Sequence, residues 1–122
     1  MDKSNVEKGK AFEELVAQGF NLLLSLTGRN RVKPMYRSGA FKGMKGDLIN
    51  LPKWLPFTVE CKDWRAVNIP MFWKQVKQEA EEMGTNPWLI MPYDGEILSI
   101  KILEDDLKLL RRLRDEKANK RI

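Results

Sequence analysis

A chain of 122 residues, 43% hydrophobic and 32% charged, has the size and balance of one soluble domain with a modest core. It contains no histidine and one cysteine, which excludes Ser-His and Cys-His nucleophiles, internal disulfides and cysteine-based zinc sites. No apolar run reaches membrane-spanning length, and the opening MDKSNVEKGK lacks the apolar stretch of a signal peptide, so a cytoplasmic protein without membrane contact is expected.

The net charge of +5 is unevenly spread. No acidic residue lies between Glu14 and Asp47, whereas Arg29, Arg31, Lys33, Arg37, Lys42 and Lys45 all do. A second basic stretch runs from Lys108 to Arg121. One-sided charge of this kind is the footprint of a polyanionic partner, nucleic acid first. A solvated surface explains the second stretch equally well.

In chain order, residues 5–26 read as a helix, with Phe12, Leu15, Val16, Gly19, Phe20 and Leu23 as its buried stripe. Ser4 and Glu7 resemble a capping box, and Gly28 is a plausible stop. A strand is expected around 32–36, a loop through 38–45, and a short strand over Gly46–Asn50. Leu51–Pro56 reads as a turn with Trp54 at its edge. In the strand Phe57–Lys62, alternation puts Thr58, Glu60 and Lys62 on one face and Val59 and Cys61 on the other. Asn68-Ile69-Pro70 opens a second helix that ends at Gly84, with Phe72, Val76, Ala80 and Met83 as its stripe. Strands over 88–91 and 96–102 flank a hairpin turn at Pro92-Tyr93-Asp94-Gly95. A basic helix over about 104–118, using Leu107, Leu110 and Leu113, closes a single domain spanning 1–122.

The chemistry concentrates in Asp47, Glu60 and Lys62. Two carboxylates on neighbouring strands can hold a hard divalent cation against a phosphate, with the Cys61 backbone carbonyl as a third ligand. Lys62 shares a face with Glu60, where its ammonium can orient the attacking water or offset charge developing in the transition state. Glu-x-Lys on a strand can also be a surface ion pair of little worth. Its apolar flank, Phe57–Cys61, argues against that, because unpartnered charge there is costly.

The order Lys8-Gly9 with Glu13 in a first helix, Gly46-Asp47, Glu60-Cys61-Lys62, and a later helix bearing Gln75 resembles the PD-(D/E)xK nuclease superfamily. Within it, the chain is most similar to archaeal-type Holliday-junction resolvases and their viral relatives, over about residues 8–92. The resemblance implies an α/β (α+β) restriction-endonuclease-like core: a central mixed five-stranded sheet flanked by helices, in the order α-β-β-β-α-β-β-α. It also implies a homodimer, Mg2+ or Mn2+ dependence, and paired nicks in four-way branched DNA. By the same resemblance Asp47 and Glu60 are metal-binding carboxylates, Lys62 the catalytic lysine, Glu13 a further metal-binding residue, and Gln75 a supporting glutamine. Ser38 resembles a serine that resolvases place before the catalytic aspartate. Helical geometry favours Glu13 over the outward Glu14, and Gln75 over Gln78. Two departures are evident: Gly46 replaces the usual proline, and Met91-Pro92 lacks the basic residue often found there.

Trp64 reads as a residue able to stack on a base, Trp73 and Trp88 as core or interface residues, and Trp54 and Phe57 as candidates for an exposed twofold interface. Two rivals to junction resolution stand. One is another PD-(D/E)xK nuclease of restriction or exonuclease type. The other is a non-catalytic branched-DNA-binding protein on the same fold.

Overall fold

The computed structural model describes residues 5–35, 46–62 and 68–120, with side chains from Gly9 onward. Ser4, Arg37, Ser38, Lys42, Lys45 and Trp64, with the expected capping box and the 38–45 loop, lie outside the described residues. The element order is α1 (Asn5–Leu23), a 3-10 turn (Gly28–Asn30), β1 (Lys33–Pro34), β2 (Leu48–Ile49), β3 (Phe57–Cys61), α2 (Ile69–Met83), β4 (Asn86–Tyr93), β5 (Glu96–Lys101) and α3 (Leu103–Asn119). This is the expected succession of helices and strands.

The strands form two sheets rather than one of five. β1 pairs antiparallel with β2, while β3, β4 and β5 form a mixed sheet in which β3–β4 is parallel and β4–β5 antiparallel. The break falls at Asp47. Its N–H donates to the Val59 carbonyl (2.7 Å), but the next donor on that edge, Cys61 N–H, goes to the Asp47 carboxylate (2.7 Å). A side chain thus takes the place of the backbone acceptor that would continue a ladder.

All five residues of β3 are buried, because helices cover both of its faces. Towards α1, Val59 and Cys61 pack with Phe12, Val16, Val32 and Ile90. Towards α2, Phe72, Val76 and Leu89 form a second cluster. Asn68 caps α2 by accepting the Met71 N–H, Pro70 lies in its first turn, and Gly84 ends it in a left-handed conformation. The stripe stops at Ala80, and Met83 is exposed because the chain reverses there to begin β4.

Four further expectations change. Leu15 and Leu23 are exposed, since the surface beneath α1 is narrower than its apolar stripe; both line an apolar groove of about 410 Å3 with Trp54, Trp88, Ile97 and Leu98. Phe57 is buried, edge-on to Trp88 at 5.2 Å. β4 runs through Pro92 and Tyr93, and the hairpin narrows to Asp94-Gly95, both at positive φ, the conformation that two-residue hairpins favour. In α3, Leu107 and Leu110 are exposed and only Leu109 and Leu113 are half-buried among its leucines.

Candidate active site

Two asparagines fix the approach to the site. Asn21 of α1 donates to the Val32 carbonyl (2.9 Å) and accepts the Val32 N–H (2.7 Å). The Asn50 amide donates to the carbonyls of Arg29 (2.7 Å) and Arg31 (2.9 Å). The exposed cations Arg29, Arg31 and Lys33 therefore ride on a backbone held at both ends. The same segment leads to Met35, whose N–H donates to the Asp47 carbonyl (2.8 Å).

Gly46 explains how Asp47 reaches β3. Its φ is +93°, and a Cβ there would lie 3.0 Å from Thr58 Cγ2 and 3.1 Å from the Val59 carbonyl oxygen. Proline, the residue usual at this point of the resembling motif, cannot adopt that φ. Glycine alone permits so close an approach.

Thr58, Glu60 and Lys62 face α2, as the alternation predicts. Thr58 bonds to the Thr85 hydroxyl (2.5 Å) beyond the end of α2. Lys62 sits over the Phe72 ring, 5.1 Å from its centroid. Its ammonium is 3.7 Å from Glu60 Oε2, and its side chain keeps 20% exposure. Glu60 itself has no exposed surface. Burial pushes its carboxyl up to about 10, and a hydrogen bond with Glu79, the charge of and a bond with Asp47, and the charge of Glu79 act in the same direction. Burial, the largest of these causes, favours the protonated form of Glu60 in the metal-free protein.

Glu79 was not visible as a site residue in the motif reading. Yet it lies seven residues after Phe72, about 20° from it around the helix, at the edge of the buried stripe. An acid placed there must meet something polar, and it meets Glu60. Gln75, one turn earlier and half-buried, donates to Glu79 Oε1 at 3.4 Å, whereas Gln78 is exposed. Gln75 thus reaches the acid cluster through Glu79.

On the opposite face of β3, Glu13 is half-buried and Glu14 exposed. Burial pushes the Cys61 thiol up; the carboxylates of Asp47, Glu13 and Glu60 add to this, and Lys62 opposes it. The thiol stays protonated and unreactive. What Cys61 can offer is its carbonyl. N–H and C=O of one strand residue leave on the same edge, and the Cys61 N–H points at Asp47. Asp47, Glu60 and this carbonyl are hard oxygen donors on adjoining strands, which fits a hard divalent cation. Among the described residues no three Asp, Glu, Cys or His side chains already form a metal-binding group. The fit is therefore of two acids and a peptide oxygen.

A family model described as phage putative PDDEXK endonuclease matches residues 4–120. The chain belongs to that family. No curated protein and no solved structure matches it. Family membership makes this chain a nuclease of the PD-(D/E)xK superfamily, a group that typically uses divalent metals. It accounts for Glu60 on a strand buried on both faces, with Lys62 just past the end of that strand and Asp47 beside it. No helix among the described residues is long and apolar enough to cross a membrane.

Proposed function

We propose that this PDDEXK nuclease is a metal-dependent, structure-selective DNA endonuclease that resolves four-way junctions by paired symmetric nicks. It would act as a homodimer in the cytoplasm of the host cell. The observation that carries the phosphodiester chemistry is the meeting of Asp47, Glu60 and Lys62 at the β2–β3 junction. Asp47, Glu60 and the Cys61 carbonyl would hold Mg2+, or Mn2+ in its place, with Glu13 approaching from α1. Bound there, the cation supplies Lewis-acid polarisation of the scissile phosphate. Lys62, over Phe72 with a fifth of its side chain exposed, would orient the attacking water and offset charge on the phosphate. Gln75 holds Glu79 against Glu60 and so positions that carboxyl.

The choice of branched DNA rests on the Lys8-Gly9 and Glu13 resemblance, and the family match supports a PDDEXK nuclease with another DNA substrate equally. A cleavage assay with Mg2+ on a four-way junction and on the matching linear duplex separates the two. Symmetric nicks in the junction alone are expected, and equal cutting of the duplex would favour the broader reading. Asp47→Ala should abolish cutting and keep junction binding. Wild-type protein that binds junctions but fails to cut them whichever divalent metal is supplied would leave only a DNA-binding role.

A further inference from the structure

The parallel crossover from β3 through α2 to β4 brings the first turn of α2 to the carboxyl ends of both strands. Lys62 stands at that end, over the Phe72 ring. The rim around it is apolar. Ile69 and Met71, on the first turn of α2, are 41% and 53% exposed, and Tyr93, the last residue of β4, is 66% exposed. Ile69 precedes Phe72 by three residues and so lies beside it, nearer the helix start, while Met71 is its neighbour in the chain. Tyr93 falls on the same side of the sheet. Leu89 clusters with Phe72 and Val76, and alternation carries Met91 and Tyr93 to that face. Cys61 pairs with Ile90, so Tyr93 stands two residues, about 7 Å, beyond the level of Lys62.

The charges at this rim separate the two ends of a nucleotide. Glu96 of β5 lies directly opposite Tyr93, on the same face, and Asp94 follows at the hairpin tip. Both carboxylates repel a phosphate, whereas Lys62 attracts one. A base suits the Tyr93 ring, and its amino group can donate to Glu96. We propose that Tyr93, Ile69 and Met71 form a platform for one unstacked nucleotide beside the scissile phosphate. Its base lies on the Tyr93 ring, and the two aliphatic side chains fill the place it leaves in the stack. A paired base reaches the ring only by leaving its stack, which costs energy that a branch point, flap or gap has already spent. The platform therefore selects DNA with a free base next to the bond that is cut. This deepens the proposed function and rests on Lys62 receiving the phosphate.

The test walks a single abasic nucleotide along one strand of a four-way junction and reads affinity with the Asp47→Ala protein, so that no cutting is needed. At one position, within about two nucleotides of the bond that wild type cuts, loss of the base should weaken binding about tenfold. Tyr93→Ala in the same background should bind the intact junction about tenfold more weakly and lose nothing further at that position. Tyr93→Phe should match its parent. Tyr93→Leu keeps bulk without the ring and should fail as Tyr93→Ala does, which covers the case of a Tyr93→Ala protein that does not fold. Ile69→Ser combined with Met71→Ser should lower the preference for junction over linear duplex by a similar factor. A merely structural Tyr93 would leave the abasic loss intact in its variants, and that result would overturn the proposal. So would full affinity in Tyr93→Ala, or a sensitive position remote from the cut. A protein that cuts junctions without this coupling fails only the platform. One that shows the coupling but does not cut, whichever divalent metal is supplied, fails only the nuclease reading.

Discussion

Glu60 has no exposed surface and lies against two other acids, Asp47 and Glu79, so its charge is what the metal-free fold tolerates least. Its folded value of about 10 stands above the ordinary 4.5, so the folded chain keeps a proton that the unfolded chain gives up between those limits. Stability from this group is complete below about pH 4.5 and declines as pH rises towards 10, by at most about 1.4 kcal/mol per pH unit. Glu60→Gln keeps the shape and removes the titration. In the absence of metal, the variant should melt with wild type at pH 5 and above it at pH 8, while cutting no DNA. Equal melting at both pH values would mean that Glu60 is ionised in the fold. A divalent cation held by Glu60 as proposed would have to displace the same proton, so Mn2+ affinity measured by calorimetry should rise from pH 6 to pH 8 in wild type. Part of this was legible in sequence: Glu60 and Lys62 share a face, and Glu13 turns further inward than Glu14. Glu79 escaped because it belongs to no motif. Its position near Phe72 on the helical wheel was the available signal, and an acid on a buried stripe should always be traced to its partner.

The elements that place these residues show why local pattern succeeded in some places and not in others. α2 carries its own punctuation, with Asn68 as cap, Pro70 in the first turn and Gly84 as stop, and its ends match the expectation. The five-stranded sheet failed because strand pairing depends on partners far apart in sequence. Nothing within 46–50 reveals that the Asp47 carboxylate will take the Cys61 N–H and interrupt the ladder. Gly46 is the hinge of that junction. Gly46→Ala would place a Cβ against Thr58 and the Val59 carbonyl at a φ that alanine rarely adopts. It should cost about 1–3 kcal/mol of stability in urea unfolding, and cleavage should fall with it because Asp47 is displaced. A variant as stable and active as wild type would show that the backbone relaxes at no cost. Asn21→Ala removes both halves of the clamp on Val32 and leaves a buried N–H without its acceptor, for a loss of about 1–3 kcal/mol by the same measurement.

Across the whole molecule, the exposed Arg29, Arg31 and Lys33 lie on the backbone segment that leads to Met35, which is hydrogen-bonded to Asp47. On the proposed reading, phosphates drawn to these cations would be brought towards the acids and Lys62. Each cation that neutralises a phosphate contributes about 0.9 to the slope of log affinity against log salt. Replacing all three by alanine should therefore flatten the slope for junction binding by up to about 2.7 per protomer, and by about twice that if two copies grip one junction. The affinity loss should be similar for every junction sequence, since backbone contacts carry no base information. Filter binding between 50 and 200 mM salt, with Asp47→Ala present throughout to prevent cutting, reads the slope directly. An unchanged slope removes this segment from the DNA interface. A change near the larger figure would show that two copies grip one junction.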